Sequence, residues 1–316
     1  MARLLKSFLA LALLTIAGAG VAYVVRNPET RTLDASARAG APGQFVTLSD
    51  GVTHYESLGP DTGRVAVLVH GFSVPYYIWD STAVALSTAG YRVIRYDVFG
   101  RGLSDRPDVA YDGALYDRQL SELLDSLKVT GPVDLMGLSY GGYVTAHFTA
   151  RHTSRVRTLT LVDPAAISRP LPAVITTPIL GHWFWQVMQA PGQADGQPSD
   201  FLHPEGWPDW VEKYRPQMTY RGFGRALRRS ALTAAHTDFR ALYAGVGRTG
   251  VPVLLIWGKQ DSTVSITHAP VVRDGIPGIE FVVVDSAGHL PNLEQSALVH
   301  TAMRTFLERH RDLAPQ

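Results

Sequence analysis

Residues 133–142 read Val-Asp-Leu-Met-Gly-Leu-Ser-Tyr-Gly-Gly, and the reading of this stretch decides the fold. Val133 to Met136 has the short, mostly apolar character of a strand buried in a parallel sheet. Tyr143 to Arg151 has helical spacing, and the helix is expected to begin near Gly142. Between them, Gly137-Leu138-Ser139-Tyr140-Gly141 fits the pattern G-x-S-x-G. A strand that turns at once into a helix strains the residue at the turn and crowds its neighbours. Glycine on both flanks removes the side chains that would clash. The Ser139 hydroxyl is then expected at the carboxyl edge of the sheet, above the positive end of a helix. The blander reading, a glycine-rich turn with an incidental serine, does not account for the strand and helix on either side.

The surrounding chain repeats the alternation. Strands are expected at Phe45–Leu48 and Val52–Leu58, joined by the hairpin signal Ser49-Asp50-Gly51. Further strands are expected at Arg64–His70, Tyr91–Tyr96, Val156–Val162, Val251–Trp257 and Ile279–Val284. Helical spacing marks Trp79–Ala89, Ala114–Leu127 and Leu298–His310. Eight strands alternating with helices imply an α/β fold: a mostly parallel eight-stranded sheet with helices on both faces. Between Pro164 and about Gly250 the alternation fails. That stretch is rich in proline and carries Trp183, Trp185, Trp207 and Trp210. Residues 165–249 are therefore expected to be a helical lid inserted into a core made of 45–164 and 250–316.

Composition narrows the function. The 316 residues are 46 % hydrophobic and 18 % charged, enough for one large core. The net charge of +1 gives no basis for a nucleic-acid partner. Cysteine is absent, which excludes a thiol nucleophile, disulfides and thiolate metal sites. At the N-terminus, Arg3 and Lys6 precede an uncharged run from Ser7 to Val25 that ends at Arg26. That length suits a membrane-spanning helix of about 20 residues better than a signal-peptide core of about 7–15. Residues 1–26 are thus expected to anchor the chain. Ala17-Gly18-Ala19 leaves a cleaved signal open, and so does a soluble arm packed on the domain. The bias of cations toward the first residues favours an exported catalytic domain, or a secreted one if a signal is removed. Residues 27–44, small and aperiodic, are expected to be a linker.

A serine hydroxyl needs a base to take its proton. His289 is preferred among the histidines because Ser286-Ala287-Gly288-His289 follows the last apolar strand, at the edge where Ser139 lies. An acid to orient it is expected after another strand. Asp261 follows 251–257 and Asp163 follows 156–162; Asp261 is the first choice and Asp163 the alternative. The developing oxyanion needs two donors. The backbone N–H of Tyr140 is one, and the N–H of Phe72, in the turn His70-Gly71-Phe72, is the other. His70 itself is expected to shape that turn.

VLVHGF (67–72), YDVFGRGLSDRP (96–107), GLSYGG (137–142), WGKQD (257–261) and DSAGH (285–289) together resemble the α/β-hydrolase superfamily, in its esterase- and lipase-like branch. The resemblance runs from about Phe45 to the C-terminus and is weakest in the lid. It implies a triad of Ser139, Asp261 and His289 in the chain order of that fold, with 96–107 as a structural turn tied down by Asp97 and Arg101. A serine at 139 departs from the dehalogenase and epoxide hydrolase branches, which place an aspartate there. Phe72, Tyr76, Tyr77 and Ile78, together with Trp183, Phe184, Trp185, Met188, Trp207 and Trp210 of the lid, are candidate walls of an apolar acyl pocket, although each could instead seal the lid to the core. Arg215, Arg221, Arg225, Arg228 and Arg229 form a basic cluster with no matching acids nearby in the sequence. Metal-ligand and phosphate-loop spacings are absent, so no metal or cofactor is expected. The expected reaction is hydrolysis of an apolar or acyl-lipid carboxylic ester through an acyl-enzyme. C–C bond hydrolysis and a ligand-binding module with vestigial turnover are the alternatives.

Overall fold

The computed structural model describes residues 1–313. Its eight strands are β1 (Gln44–Leu48), β2 (Gly51–Leu58), β3 (Val65–Val69), β4 (Arg92–Tyr96), β5 (Val133–Leu138), β6 (Val156–Val162), β7 (Val253–Gly258) and β8 (Glu280–Val284). They form one sheet in the order β1-β2-β4-β3-β5-β6-β7-β8. The hairpin β1–β2 is antiparallel, and β2 meets β4 antiparallel. From β4 to β8 every pairing is parallel. This is the expected α/β sheet, and its carboxyl edge gathers the loops after β3, β5, β6, β7 and β8.

Strands β3 and β7 are apolar on both sides, and the apolar side chains of the inner strands alternate between two cores. Val67, Val69, Leu135, Leu255 and Trp257 point to one; Ala66, Leu68, Met136, Leu254 and Ile256 point to the other. The first core is closed by α4 (Gly113–Ser126) and α5 (Tyr140–Arg151), with later helices described below. The second is closed by α3 (Asp80–Thr88) and the C-terminal helix. Each Val, Leu, Ile or Phe side chain so withdrawn from water contributes roughly 1.5–3 kcal/mol. Asp112 begins α4 by accepting a hydrogen bond from the Leu115 amide at 3.0 Å.

Between β6 and β7 the chain has helices and turns only: α6 (Ala173–Thr176), α7 (Pro178–Phe184), a π-helical turn at Trp185–Gln189, α8 (Trp210–Met218), α9 (Phe223–His236) and α10 (Phe239–Gly247). After β7 come α11 (Ala269–Gly275), α12 (Pro291–Glu294) and α13 (Ser296–Arg309). Helix α10 and α11 pack on the first core and α13 on the second, so both faces of the sheet are covered.

Ahead of the sheet, α1 spans Ala2–Arg26 and α2 spans Ala35–Arg38. The stretch Arg3–Arg26 is the one described helix long and apolar enough to cross a membrane. Residues 27–44, expected as a linker, are laid along the body. Arg31 forms a β-bridge with Tyr220, Arg38 pairs with Asp105 at 2.5 Å, and the Pro42 carbonyl lies 2.7 Å from His54 Nε2. Their small residues permit this close path, and their partners lie far away in sequence.

Candidate active site

Ser139 sits where β5 becomes α5, with φ +54° and ψ −118°. An L-residue is held there at a cost of about 1–3 kcal/mol. The surroundings over-determine it. The Ser139 amide donates to Val162 O at 2.9 Å, and its carbonyl accepts from Gly142 N at 2.9 Å and Ala165 N at 3.0 Å. A Cβ on Gly141 would collide with the Val69 and His70 carbonyl oxygens, which explains the glycine after Tyr140. A Cβ on Gly71 would stand 3.2 Å from the Ser139 Cβ. The turn after β3 therefore runs directly against the serine, and Phe72, the next residue of that turn, lines the same cavity as Ser139. Among the described residues no protein acceptor engages the Phe72 or Tyr140 N–H.

The turn is braced from behind. Arg101, fully buried, donates from Nε to Phe72 O at 2.7 Å and from Nη1 to the Tyr116 hydroxyl at 3.0 Å. His70 Nδ1–H donates to Gly71 O at 2.9 Å, and its Nε2 accepts from the Val98 amide at 2.9 Å. Burial pushes the His70 pKa down to about 4, so the ring is neutral and structural. Asp97 accepts from Tyr76 N at 2.9 Å, Leu103 N at 2.9 Å and His54 Nδ1 at 2.7 Å. Burial opposes its charge, yet the His54 contact outweighs this and holds the carboxyl below the usual range.

His289 follows β8 and is 4 % exposed. Its Nδ1–H donates to Asp261 Oδ2 at 2.8 Å, which leaves Nε2 for the cavity that Ser139 also lines. Asp261 Oδ1 accepts from the Thr263 and Val264 amides, each at 2.8 Å. Burial disfavours the imidazolium, but the Asp261 charge and hydrogen bond prevail, and the His289 pKa is raised above its ordinary value. Ser139 Oγ and the ring make no hydrogen bond here; in free enzymes this contact is often long and tightens around substrate.

The alternative acid is close by. Asp163, Asp261 and His289 each place a ligand-type atom within 4.8 Å of the others, all buried. Asp163 Oδ1 accepts from Gly258 N at 2.8 Å, while Oδ2 has no partner. Burial, reinforced by the Asp261 charge, raises the Asp163 pKa well above the ordinary range. Within the trio the His289 Nδ1 nitrogen is committed to Asp261.

The cavity at Ser139 has a volume of about 260 Å³. Phe72, Val74, Ile78, Leu138 and Leu290 form its apolar side; Gln193, Gln197, Asp200 and Thr263 form a polar side. Asp200 O accepts from the His289 amide at 2.8 Å, and its carboxylate accepts from Thr263 Oγ1 at 2.6 Å. Of the expected pocket walls Phe72 and Ile78 line this cavity. Tyr76 lines a separate pocket, packed between His54 and Arg95. Trp183 donates its indole N–H to Ala19 O at 2.9 Å, and Trp185 is buried in the second core. Trp207 stacks on Phe201 at 4.5 Å, and Trp210 meets the same ring edge-on at 5.1 Å. These tryptophans seal the insertion. The polar wall was not foreseen, because residues 192–200 lie in irregular turns without periodicity. Three of the five arginines of the basic cluster meet acids: Arg225 and Arg229 meet Asp108, and Arg215 meets Glu212 and Asp195, while Arg228 donates to the Ile175 and Thr177 carbonyls.

The family model for the α/β hydrolase fold matches residues 65–296. The chain belongs to the α/β hydrolase family. This hydrolase is 26 % identical to the cis-3-alkyl-4-alkyloxetan-2-one decarboxylase of Xanthomonas campestris, over 81 % of this chain and 92 % of that protein. It is likewise 26 % identical to the pimeloyl-[acyl-carrier protein] methyl ester esterase of Neisseria meningitidis, over 79 % and 95 %. Among solved structures, a thermophilic esterase from Thermogutta terrifontis superposes with a TM-score of 0.72 at 28 % identity, covering 85 % of this chain and 99 % of that one.

Proposed function

We propose that this hydrolase cleaves carboxylic esters through an acyl-enzyme on Ser139, with His289 as base, Asp261 as its orienting acid, and the Phe72 and Tyr140 amides as oxyanion donors. One observation carries the reading: a serine on a strained turn at a helix N-terminus shares a cavity with an imidazole whose far nitrogen is held by a buried carboxylate. In the first step His289 Nε2 takes the Ser139 proton while Oγ bonds to the carbonyl carbon. The negative oxygen rests on the two N–H groups. His289 then gives the proton to the departing alcohol, and water repeats the sequence to free the acid.

The cavity supports an ester of short or medium length that is apolar on its acyl side and carries a polar group toward Gln193, Gln197 and Thr263. The esterases among the similar proteins support the bond type at the level of class. Helix α1 is read as a membrane anchor with the hydrolase domain exported, which suits esters that partition into lipid. Ser139→Ala should abolish turnover of p-nitrophenyl esters and labelling by a fluorophosphonate. An undiminished rate in that variant would refute the assignment. A panel that includes a diketone-like substrate separates ester from C–C hydrolysis.

A further inference from the structure

The inner end of α1 grips the helical insertion. Ala19, Tyr23 and Arg26 share one face of the helix. The Ala19 carbonyl accepts from the Trp183 indole, the Tyr23 hydroxyl lies 3.4 Å from His182 Nε2, and Arg26 Nε donates to Val187 O at 2.7 Å. Just beyond the helix, Glu29 accepts from Gly222 N at 2.6 Å, Gly224 N at 2.7 Å and Gln186 Nε2 at 2.8 Å. Arg31 exchanges backbone hydrogen bonds with Thr219 and Arg221, both at 2.9 Å. A peptidase cut after Ala19 would carry off the Ala19 carbonyl and strand the Trp183 indole. These contacts suit a helix that stays.

The gripped segment is itself unlike a water-facing surface. Between Arg169 and Asp195 the chain carries no Asp, Glu, Lys or Arg. Ile179 is 83 % exposed, Leu180 63 % and Met188 53 %. Depth follows from the helix. At 1.5 Å per residue, Ala19 lies about 10 Å along the axis from Arg26. The residues hydrogen-bonded to it therefore lie level with the apolar run of α1. Interfacial segments sink roughly 5–10 Å into the headgroup–acyl boundary, and tryptophan favours that depth.

We infer that residues 178–189 form a second membrane contact, lying in the headgroup–acyl boundary of the leaflet from which α1 emerges, with Ile179, Leu180 and Met188 in the lipid. The occupant of this apolar surface is the bilayer because it is continuous with α1. The inference rests on reading α1 as a retained anchor.

The absence of native cysteine makes a clean test possible. Single variants Leu180→Cys, Met188→Cys, Leu9→Cys and Asp61→Cys of the full chain are labelled with an NBD fluorophore. Each is then reconstituted in phosphatidylcholine–phosphatidylglycerol vesicles carrying nitroxide at shallow or deep acyl positions. Labels at 180 and 188 should be quenched more by the shallow nitroxide than by the deep one and shielded from aqueous iodide. The label at 9 should be quenched by lipid, and the label at 61, far out on the β2–β3 turn, only by iodide. Iodide quenching at 180 and 188 without lipid quenching, while position 9 stays lipid-quenched, would overturn the second contact and leave the anchor standing. Loss of lipid quenching at position 9 as well would overturn the anchor and the inference with it.

Discussion

Replacing Asp261 with asparagine, and Asp163 with asparagine in parallel, separates two carboxyls that sit side by side but play unequal parts. Asp261→Asn keeps the shape of the site and removes the charge that His289 Nδ1 faces at 2.8 Å. In the transition state His289 is an imidazolium, and its charge centre and that of Asp261 are about 4 Å apart. At an effective dielectric near 20 such a pair is worth about 4 kcal/mol. At about 1.4 kcal/mol per decade, that is roughly a thousandfold in rate. The asparagine also offers the wrong hydrogen-bonding partner and disturbs the tautomer, which carries the typical loss toward roughly 10⁴-fold in kcat. Asp163→Asn should cost under about tenfold, because burial and the Asp261 charge already disfavour a charge on Asp163 and an amide can still accept from Gly258 N. The assay is kcat and KM on p-nitrophenyl esters from pH 5 to 9, with circular dichroism to establish folding. Wild-type kcat/KM should rise with pH through a midpoint above the ordinary histidine value, since only neutral His289 accepts the serine proton. In Asp261→Asn the midpoint should fall, because the charge that chiefly opposes burial at the ring is then gone. A loss in Asp163→Asn equal to that in Asp261→Asn, or an unmoved midpoint in Asp261→Asn, would refute this division of labour.

Gly141→Ala should fail to fold, or melt far below the parent in a thermal scan, because the new Cβ meets two backbone carbonyls that cannot retreat without breaking the β3 ladder. Stability should also depend on His54, whose two ring nitrogens approach Asp97 and the Pro42 carbonyl. Burial lowers its pKa, but these partners outweigh the burial and raise it. A raised folded-state pKa gives stabilisation that is full below about 6.5, the unfolded value, and lost as pH rises through the folded value. Melting temperature in the wild type should therefore fall more steeply above that range than in His54→Gln, and parallel curves would contradict the imidazolium bridge.

The elbow was legible because its causes are local. Gly137 and Gly141 are forced by backbone packing at a strand-to-helix turn, and such turns leave a fixed spacing in the chain. His289 and Asp261 were legible through topology, since both follow parallel strands that end at one edge. Topology could not separate Asp261 from Asp163, because β6 and β7 are neighbours and both loops reach the same ring. What separates them is the Asp261 hydrogen bond to Nδ1 and the burial that disfavours a charge on Asp163, and neither leaves a sequence mark. The pocket walls failed for a related reason. An aromatic at helical spacing looks the same whether it faces substrate, a core or another helix; Trp183 faces α1, Trp185 the core, and Tyr76 a different pocket. Glu29 lay in an aperiodic stretch whose partners, Gly222 and Gly224, are distant in sequence.

The path of the insertion links these features. One continuous stretch, 178–200, carries the contacts to α1 at its start and the contact to the His289 amide, through Asp200 O, at its end. Gln193 and Gln197 lie between and face the cavity. Swinging this stretch away as a rigid flap would break the Asp200 bonds to His289 and Thr263 and so loosen the proposed base. Two hydrogen bonds of this kind are worth about 1–3 kcal/mol together, a cost large enough to keep the closed arrangement dominant. Access to Ser139 is therefore expected to come from small movements of the turns at 190–199, whose backbone hydrogen bonds span only three or four residues and can move with the turn, while Asp200 and the gripped helix stay in place.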